Sequence, residues 1–405
     1  MESTEVDLKK LKVAIVHDAF SAIGGAEMVV KALLEIFPQA DIYTSFIDRK
    51  KFNKPGWRLW EKHKLFTTYM QFLVERPFNL LPKFISDYRN FFWMFPKAME
   101  SIRLEGYDLV ISSHYLAAHG VITPESTLHI SYTHTPARYF YSHYWEYLYS
   151  PFTSGLAGWL KRKLLPGMAH KFRIWDAAAA LRPDAYVANS TAVKHRIRKY
   201  YNRKARVIFP PVNIDEFVPK KPVKKDKSLY VIFSRHVPYK RFDLAVKAFT
   251  QPHLKHLRLV VIGEGPQTPE LKQIARGHSN IEFLGFAPRD VLIDVAQRAV
   301  AKIYPSYEDF GIVPVEALAA GTPVIAYAGG GAFDYVIPGK TGVLIYEQTV
   351  EAITKAVLDI QKYDFDPQFL SDFARKFSKD SFKQKFTTLV SKLYAKLIAW
   401  QKKQA

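Results

Sequence analysis

Short apolar runs, followed by polar or glycine-bearing loops and then by segments with apolar residues at helical spacing, recur down this chain in two series. In the first series, Leu11 to Val16 runs into His17 and Asp18, then a loop with Gly24-Gly25, then the helical pattern Ala26 to Phe37. Strand-like runs follow at Tyr107 to Ser112, Leu128 to Tyr132, Ala185 to Ala188 and Ala205 to Phe209. Pro210-Pro211 interrupts the pattern, and Val218 to Lys227 reads as a solvated, Pro- and Lys-rich linker. A second series begins at Leu229 to Phe233 and continues through Leu257 to Ile262, Ile281 to Leu284, Ala301 to Tyr304, Pro323 to Tyr327 and Gly342 to Ile345. Strands alternating with helices specify an α/β doubly wound sheet, here twice over. The expected organisation is a Rossmann-like domain over residues 1–212 and a second over 213–381. The amphipathic, basic segment Phe382 to Trp400 has three options: the edge of a core, a crossing to the first domain, or a lipid surface. Residues 382–405 are expected to complete the first domain.

Composition narrows the class. The 405 residues are 48% hydrophobic and 24% charged, ordinary for a globular protein and inconsistent with a disordered or collagen-like chain. No apolar run reaches membrane-spanning length. Met1 to Lys10 is polar and carries Glu2, Glu5 and Asp7, unlike a signal peptide. Cysteine is absent, which excludes disulfides and thiolate chemistry and fits a cytoplasmic setting. The formal net charge of +20 favours polyanionic partners: nucleic acid, anionic lipid or phosphate-bearing substrates. Aromatic residues, at 15%, join those cations in a pattern suited to an anionic membrane surface.

One stretch concentrates both features. Between Lys50 and Glu105 lie Trp57, Trp60, Phe66, Tyr69, Phe72, Phe78, Phe84, Tyr88, Phe91, Phe92, Trp93 and Phe95. The same stretch, residues 50–105, has eleven Lys/Arg against five acids, among them Arg76, Lys83 and Arg89. It reads either as a helical excursion with its own aromatic core or as an acceptor- or membrane-facing surface. Basic and aromatic residues also serve single-stranded nucleic acid, but no nucleic-acid motif accompanies them. Lys194 to Arg206 carries seven cations and no acid, the pattern of a solvated helix face or of a surface for an anionic acceptor.

Two loops carry chemistry. Ser234 to Arg241 (SRHVPYKR) follows a strand and precedes a helix, at the end of an α/β sheet where ligands bind. Arg235, Lys240 and Arg241 put fixed cations there; Arg grips phosphate oxygens in pairs and Lys supplies a point charge. The segment reads as a diphosphate clamp or as a solvated basic turn. Glu308 to Glu316 (EDFGIVPVE) leaves the strand Ala301 to Tyr304 and enters a helix. Its glycine and apolar residues place backbone N–H groups at a helix N-terminus, a seat for phosphate. Its carboxylates can accept sugar and ribose hydroxyls.

Together with these loops, several segments resemble the retaining glycosyltransferases of GT-B fold called family four. They are VAIVHDAFSAIGGAE, HTPARY, VANSTAVKHRIRKYY, VIFPPVNIDEF, SRHVPYKRFDLAVKAF, VVIGEGP, FLGF, EDFGIVPVEALAAGTPVIAYAGGG and GKTGVLI, in order from about residue 12 to 350. Within the family the chain resembles the bacterial mannosyltransferase-like branch of lipopolysaccharide O-antigen and surface-polysaccharide synthesis. The resemblance implies two Rossmann-like domains facing a cleft, and transfer of a sugar from a nucleoside diphosphate donor with the anomeric configuration kept. It implies no metal and no cofactor beyond the sugar nucleotide, GDP-mannose first. The acceptor implied is a lipid-linked or polysaccharide glycan, with the enzyme peripheral at the inner face of the plasma membrane.

Residue by residue, the resemblance makes Arg235 and Lys240 the cations that neutralise the donor diphosphate, beside Ser234. Glu308 contacts the transferred sugar, Glu316 binds the ribose, and Phe310, Gly311, Ile312 and Val313 lie along sugar and phosphates. Gly24 and Gly25 approach the diphosphate, His134 lies near the donor sugar, and Gly263 to Pro266 border the base. Catalytic roles fall to Glu308, His134, Arg235 and Lys240. The chain departs from the pattern at Gly329 to Val336, where Asp334 stands in place of a glutamate, and at His236, where a small or apolar residue is commoner. A non-catalytic nucleotide-sugar or polyanion-binding protein on the same fold is the alternative, and nucleic acid is not an expected partner. His114, His119, His129 and His143 lack metal-ligand spacing, so no metal site is expected. Asn189-Ser190-Thr191 reads as a strand-to-helix cap rather than a glycosylation site.

Overall fold

The computed structural model describes residues 7–75, 88–149 and 155–404. Arg76, Phe78, Lys83 and Phe84 of the aromatic stretch lie outside the described residues, as do Glu2 and Glu5 and the side chains of Tyr88 and Arg89. The chain divides into two units, one of Met1–Asn189, Val193–Ile208 and Lys383–Ala405, the other of Ser190–Ala192 and Phe209–Phe382.

The first unit holds β1 (Val13–His17), β2 (Asp41–Thr44), β3 (Leu65–Thr67), β4 (Leu109–His114), β5 (Leu128–Thr133), β6 (Ala185–Ala188) and β7 (Ala205–Val207). They form one sheet in the order β3-β2-β1-β4-β5-β6-β7, parallel throughout. Every residue of β1, β4 and β5 is buried, as strands covered on both faces by helices must be. β2 and β3 carry only a weak apolar signal; β2 (DIYT) alternates half-buried and buried, and β3 is mostly exposed at the sheet edge. Within residues 50–105 the aromatic stretch therefore adds a strand to the sheet and is not a purely helical excursion. Its rings divide. Phe92 and Phe95 are buried, with Phe92 and Phe172 4.6 and 4.3 Å from Phe140. Phe66, Tyr69, Phe72 and Trp93 are exposed.

The second unit holds β8 (Leu229–Phe233), β9 (Arg258–Ile262), β10 (Ile281–Gly285), β11 (Ala301–Tyr304), β12 (Val324–Tyr327) and β13 (Gly342–Ile345). Their order is β10-β9-β8-β11-β12-β13, again parallel throughout. Phe209 to Val212 belong to this unit. The Val212 N–H donates to Phe377 O at 3.0 Å, and Phe209 lies 4.8 Å from the Phe377 ring. The Lys-rich segment is more ordered than a solvated linker. Lys225 Nζ donates to Thr322 Oγ1 at 2.6 Å, and burial pulls that lysine down to about 7. The Asp226 N–H donates to Arg298 O at 2.9 Å.

The last helix spans Lys379–Gln404. From Lys383 onward it belongs to the first unit, where Phe386 packs 6.5 Å from Tyr132 and Lys383 pairs with Glu35. Phe386, Leu389 and Val390 are buried, each contributing on the order of 1.5–3 kcal/mol. Among the described residues no helix is long and apolar enough to cross a membrane.

Candidate functional site

In the second sheet the strand order reverses between β8 and β11, and the crevice at such a reversal is where open α/β sheets take ligands. The two chemistry-bearing loops leave these two strands. After β8, Pro238 starts a single turn, Pro238–Lys240, and Arg241 takes a left-handed φ of 53° before the helix Phe242–Phe249. This turn carries Lys240 inward, where it is 7% exposed. Its Nζ pairs with Glu308 and donates to the Tyr304 hydroxyl at 3.3 Å. Ser306 Oγ donates to Lys240 O at 3.0 Å and binds the two loops together. Arg235 is exposed and Ser234 half-buried on the same loop.

Glu308 is held from below by glycine. Gly330 has φ +60°, and a Cβ there would lie 1.8 Å from Glu308 O. The Gly331 N–H donates to that same oxygen at 2.9 Å. Gly311, with φ +95°, precedes the helix Ile312–Ala319, so Ile312 and Val313 open that helix half-buried. The Phe310 ring is turned into the core, 5.8 Å from Phe209 and 6.1 Å from Tyr335, leaving its backbone to the loop. Glu316, one turn on, lies 3.2 Å from Arg289 Nη2. Burial raises its pKa, and Arg289 opposes the rise.

Gly263 ends β9 beside Ser234, its N–H donating to Gly285 O at 2.7 Å. His236 gains an account here. It is fully buried, accepts or donates at Nδ1 with Thr268 Oγ1 at 2.9 Å, and its N–H donates to Glu264 O at 3.0 Å. It thereby ties the clamp loop to the 263–268 loop, and burial lowers its pKa. Asp334 accepts from the Thr191 N–H at 2.9 Å. Three residues of the second unit escaped the sequence reading. Tyr304 and Lys302 lie in an apolar strand, and Arg289 lies far from either motif. Lys302 is fully buried, with Nζ donating to Phe233 O at 3.0 Å. Burial holds it well below the ordinary lysine range, while Glu316 and Glu308 favour its charge and Lys240 opposes it.

The first unit brings its own polar set to the reversal between β1 and β4. Gly24 and Gly25 start the helix Gly25–Ile36, and Glu27 Oε2 accepts from the Gly24 N–H at 2.9 Å. His134 follows β5, 9% exposed, with Nε2 2.9 Å from Ser113 Oγ. Gly24, Gly25 and His134 thus lie in the first unit, and the other expected site residues in the second.

Asp18 is buried and accepts four backbone N–H groups, from Tyr115 (2.6 Å), Leu116 (2.9 Å), Ala117 (2.6 Å) and Ala118 (2.7 Å). Burial pushes its pKa up, and these N–H groups and His17 oppose that. Sequence spacing also missed a cluster: ligand atoms of His114, His119 and Asp176 lie within 4.8 Å of one another, all buried. His119 Nδ1 is 2.7 Å from His114 Nε2, a hydrogen bond between neutral rings. Burial lowers His119 and His129 to about 3 and raises Asp176 to about 7.

Comparison with known proteins places this geometry. Residues 23–216 match the family model described as Glycosyltransferase Family 4, and residues 213–378 match that described as Glycosyl transferases group 1. A D-inositol 3-phosphate glycosyltransferase of Geodermatophilus obscurus is 30% identical over 52% of this chain and 57% of its own length. A GDP-mannose-dependent alpha-(1-6)-phosphatidylinositol monomannoside mannosyltransferase of Mycolicibacterium smegmatis is 31% identical over 37% of this chain and 45% of its own. The chain thus spans about half the length of the curated relatives it matches. Among solved structures, the lipopolysaccharide outer core galactosyltransferase WaaB superposes with TM-score 0.62 at 15% identity, over 95% of this chain and 100% of that one. Anabaena Alr3699/HepE in complex with UDP does so with TM-score 0.63 at 16% identity, over 94% and 100%. These likenesses establish the fold as GT-B, with two Rossmann-like units. Two family models that between them run from residue 23 to residue 378 show that the chain belongs to the family-4 glycosyltransferases.

Proposed function

We propose that the chain is a retaining glycosyltransferase that moves a sugar, mannose from GDP-mannose in the first instance, to a lipid-linked or polysaccharide acceptor in surface-glycan synthesis. The observation that carries the reading is the ion pair of buried Lys240 with half-buried Glu308 at the reversal of the second sheet, beside the helix that Gly311 opens. An entering diphosphate takes over Lys240, with Arg235 as the second cation, and Glu308 turns to the sugar. Glu316 accepts the ribose hydroxyls. Mannose and its GDP carrier are supported by the Mycolicibacterium relative, whose name specifies that donor.

In the transfer, an acceptor hydroxyl attacks the anomeric carbon as its bond to the diphosphate oxygen breaks. The hydroxyl proton passes to the departing phosphate on the same face, so the configuration is kept. Arg235 and Lys240 stabilise the charge that develops on that phosphate, the role a metal plays in other transferases. The exposed Phe66, Tyr69, Phe72 and Trp93 and the excess of cations support a peripheral place on an anionic membrane face.

Transfer from GDP-mannose to a polyprenyl-diphosphate-linked glycan, followed by NMR of the anomeric proton with and without chelator, tests this. The expected product keeps the donor's α configuration and forms equally fast in chelator. A β product, or transfer lost to chelator and restored by a divalent cation, contradicts the mechanism.

A further inference from the structure

β11 carries a lysine into the core of the second unit. Lys302 is fully buried and pairs in register with Val231 of β8, on the sheet face that also holds Phe233 and Tyr304. The β8–β11 ladder ends at that pair. Beyond it, Lys302 Nζ donates at 3.0 Å to the carbonyl oxygen of Phe233, the last residue of β8 before the clamp loop. The same Nζ lies 3.4 Å from the centre of the Phe233 ring and 5.6 Å from that of Tyr304. Lys240 Nζ is 5.4 Å from the Tyr304 ring, so this ring lies beside both lysines.

The surroundings of Lys302 decide its charge. Among the described residues it makes one hydrogen bond and no ion pair. An ammonium has three hydrogens to place, and a buried charge without a partner gives up its proton rather than stay unpaired. Lys302 is therefore a neutral amine in the free chain, as its burial dictates. The charged groups that face it come from three elements. Glu316 on the helix Ile312–Ala319 and Glu308 on the loop before it favour a proton on Lys302, and Lys240 on the turn after β8 opposes one. In the free chain both carboxylates are answered elsewhere, Glu316 by Arg289 and Glu308 by Lys240. Tyr304, on the same strand, keeps its phenol proton because it is buried.

A nucleoside diphosphate changes that balance. It brings negative charge to Lys240 and Arg235, and Glu308, released from Lys240, keeps its own. We propose that Lys302 is a positioning residue of the donor site, an amine that takes up a proton when a nucleoside diphosphate displaces Glu308 from Lys240 and then holds Phe233 O, at the root of the clamp loop, as an ammonium. This rests on the donor-site reading given above. The proton comes from solvent, binds the amine lone pair and returns to solvent when the nucleotide leaves. The added cation offsets the added anion from the core side of the site, and the empty site is spared a second buried charge beside Lys240. Since the complex then holds one proton more than its separate parts, nucleotide affinity falls as pH rises, by up to about 10-fold per pH unit, between the range where free Lys302 titrates and the range where bound Lys302 does.

Two measurements on the full chain test this. NMR with lysine labelled at the ε-carbon, in which Lys302→Met assigns the signal, should show Lys302 titrating well below the ordinary lysine value of about 10.4 and moving up when GDP is added. Calorimetric titration with GDP, UDP and ADP from about pH 6 to 9, in buffers of different ionisation heat, counts the protons taken up. The wild type is expected to take up more than Lys302→Met, the excess rising toward one proton per nucleotide bound, and its affinity should fall relative to the variant by up to about 10-fold per pH unit over the same window. Lys302→Met keeps the length of the side chain in an apolar setting, and the wild-type titration stands without it. A Lys302 that titrates as an ordinary lysine in the free chain overturns the proposal. So does nucleotide binding with equal proton uptake in wild type and variant, which leaves the donor site itself standing. Binding of none of the three nucleotides removes the donor-site reading and the proton coupling with it, so the two failures are told apart.

Discussion

The two units share a topology and differ in what they put at its reversal point. In both, the strand order reverses between two central neighbours, and polar side chains gather near the carboxyl ends of the strands there. In the first unit these are Asp18, His17, Ser113, His114 and His134, all buried and joined to one another or to backbone N–H groups. In the second they are Arg235, Lys240, Glu308 and Glu316, with Arg235 open to solvent and Glu308 half-exposed. One crevice is a set of hydrogen-bonding groups; the other is a set of charges. In the proposed function the charged set of the second unit takes the donor's phosphates.

The largest expected effect lies in the first unit. Asp18→Asn replaces a carboxylate that takes four N–H groups with an amide whose NH2 faces two of them. Loss of about 3–5 kcal/mol is expected, read as a lowered urea midpoint. A loss under about 1 kcal/mol would mean that the loop 115–118 has another anchor. In the second unit, Glu308→Ala should cut transfer by about 10²–10³-fold, or 2.7–4 kcal/mol, yet leave nucleotide binding intact or tighter, because Lys240 is freed for phosphate. Parallel losses of binding and turnover would mean that Glu308 shapes the loop rather than meeting the sugar.

Acid should separate the units as well. His114, His119 and His129 have pKa values depressed by burial. Below about pH 6.5 the unfolded chain takes up their protons and the folded one does not, so stability falls as pH falls. Asp18 and Asp176, raised by burial, work the other way down to about pH 4, because there the unfolded chain is the one that ionises first. His119 and His129, lowered to about 3, outweigh Asp176, raised to about 7, so stability falls on balance as the pH drops from about 6.5 to 4. Urea midpoints across that range measure it, and His129→Gln should flatten the slope. The smallest effect belongs to Arg289→Ala, which releases Glu316 from its partner at 3.2 Å. A weakening of nucleotide binding by a few fold, about 1 kcal/mol, is expected, against a much larger loss for Glu316→Ala in the same titration.

Much of this was legible in the sequence because the second unit writes its strands as unbroken apolar runs and its site as two contiguous loops. Buried parallel strands such as LYVIF and AKIY stand out by composition, and SRHVPYKR and EDFGIVPVE are each local. β2 and β3 were not legible, since DIYT and LFT are short and only partly buried, β3 at the sheet edge and β2 next to it. Lys302 was hidden in an apolar run, where one lysine does not mark a site. The cluster of His114, His119 and Asp176 comes from a strand end, a turn and a long helix, so no spacing along the chain announces it. His236 looked out of place because its partner, Thr268, opens the helix Thr268–Ile274, distant in the chain.

Thermal unfolding with GDP, UDP and ADP, for the wild type and Lys240→Ala, asks whether the Lys240–Glu308 pair holds a nucleoside diphosphate. One nucleoside diphosphate, GDP first, should raise the midpoint, by about 2.7 kcal/mol of stabilisation at 100 times its dissociation constant, and Lys240→Ala should abolish most of the shift. A shift that Lys240→Ala leaves unchanged, or no shift with any of the three, would contradict a donor site built on the Lys240–Glu308 pair.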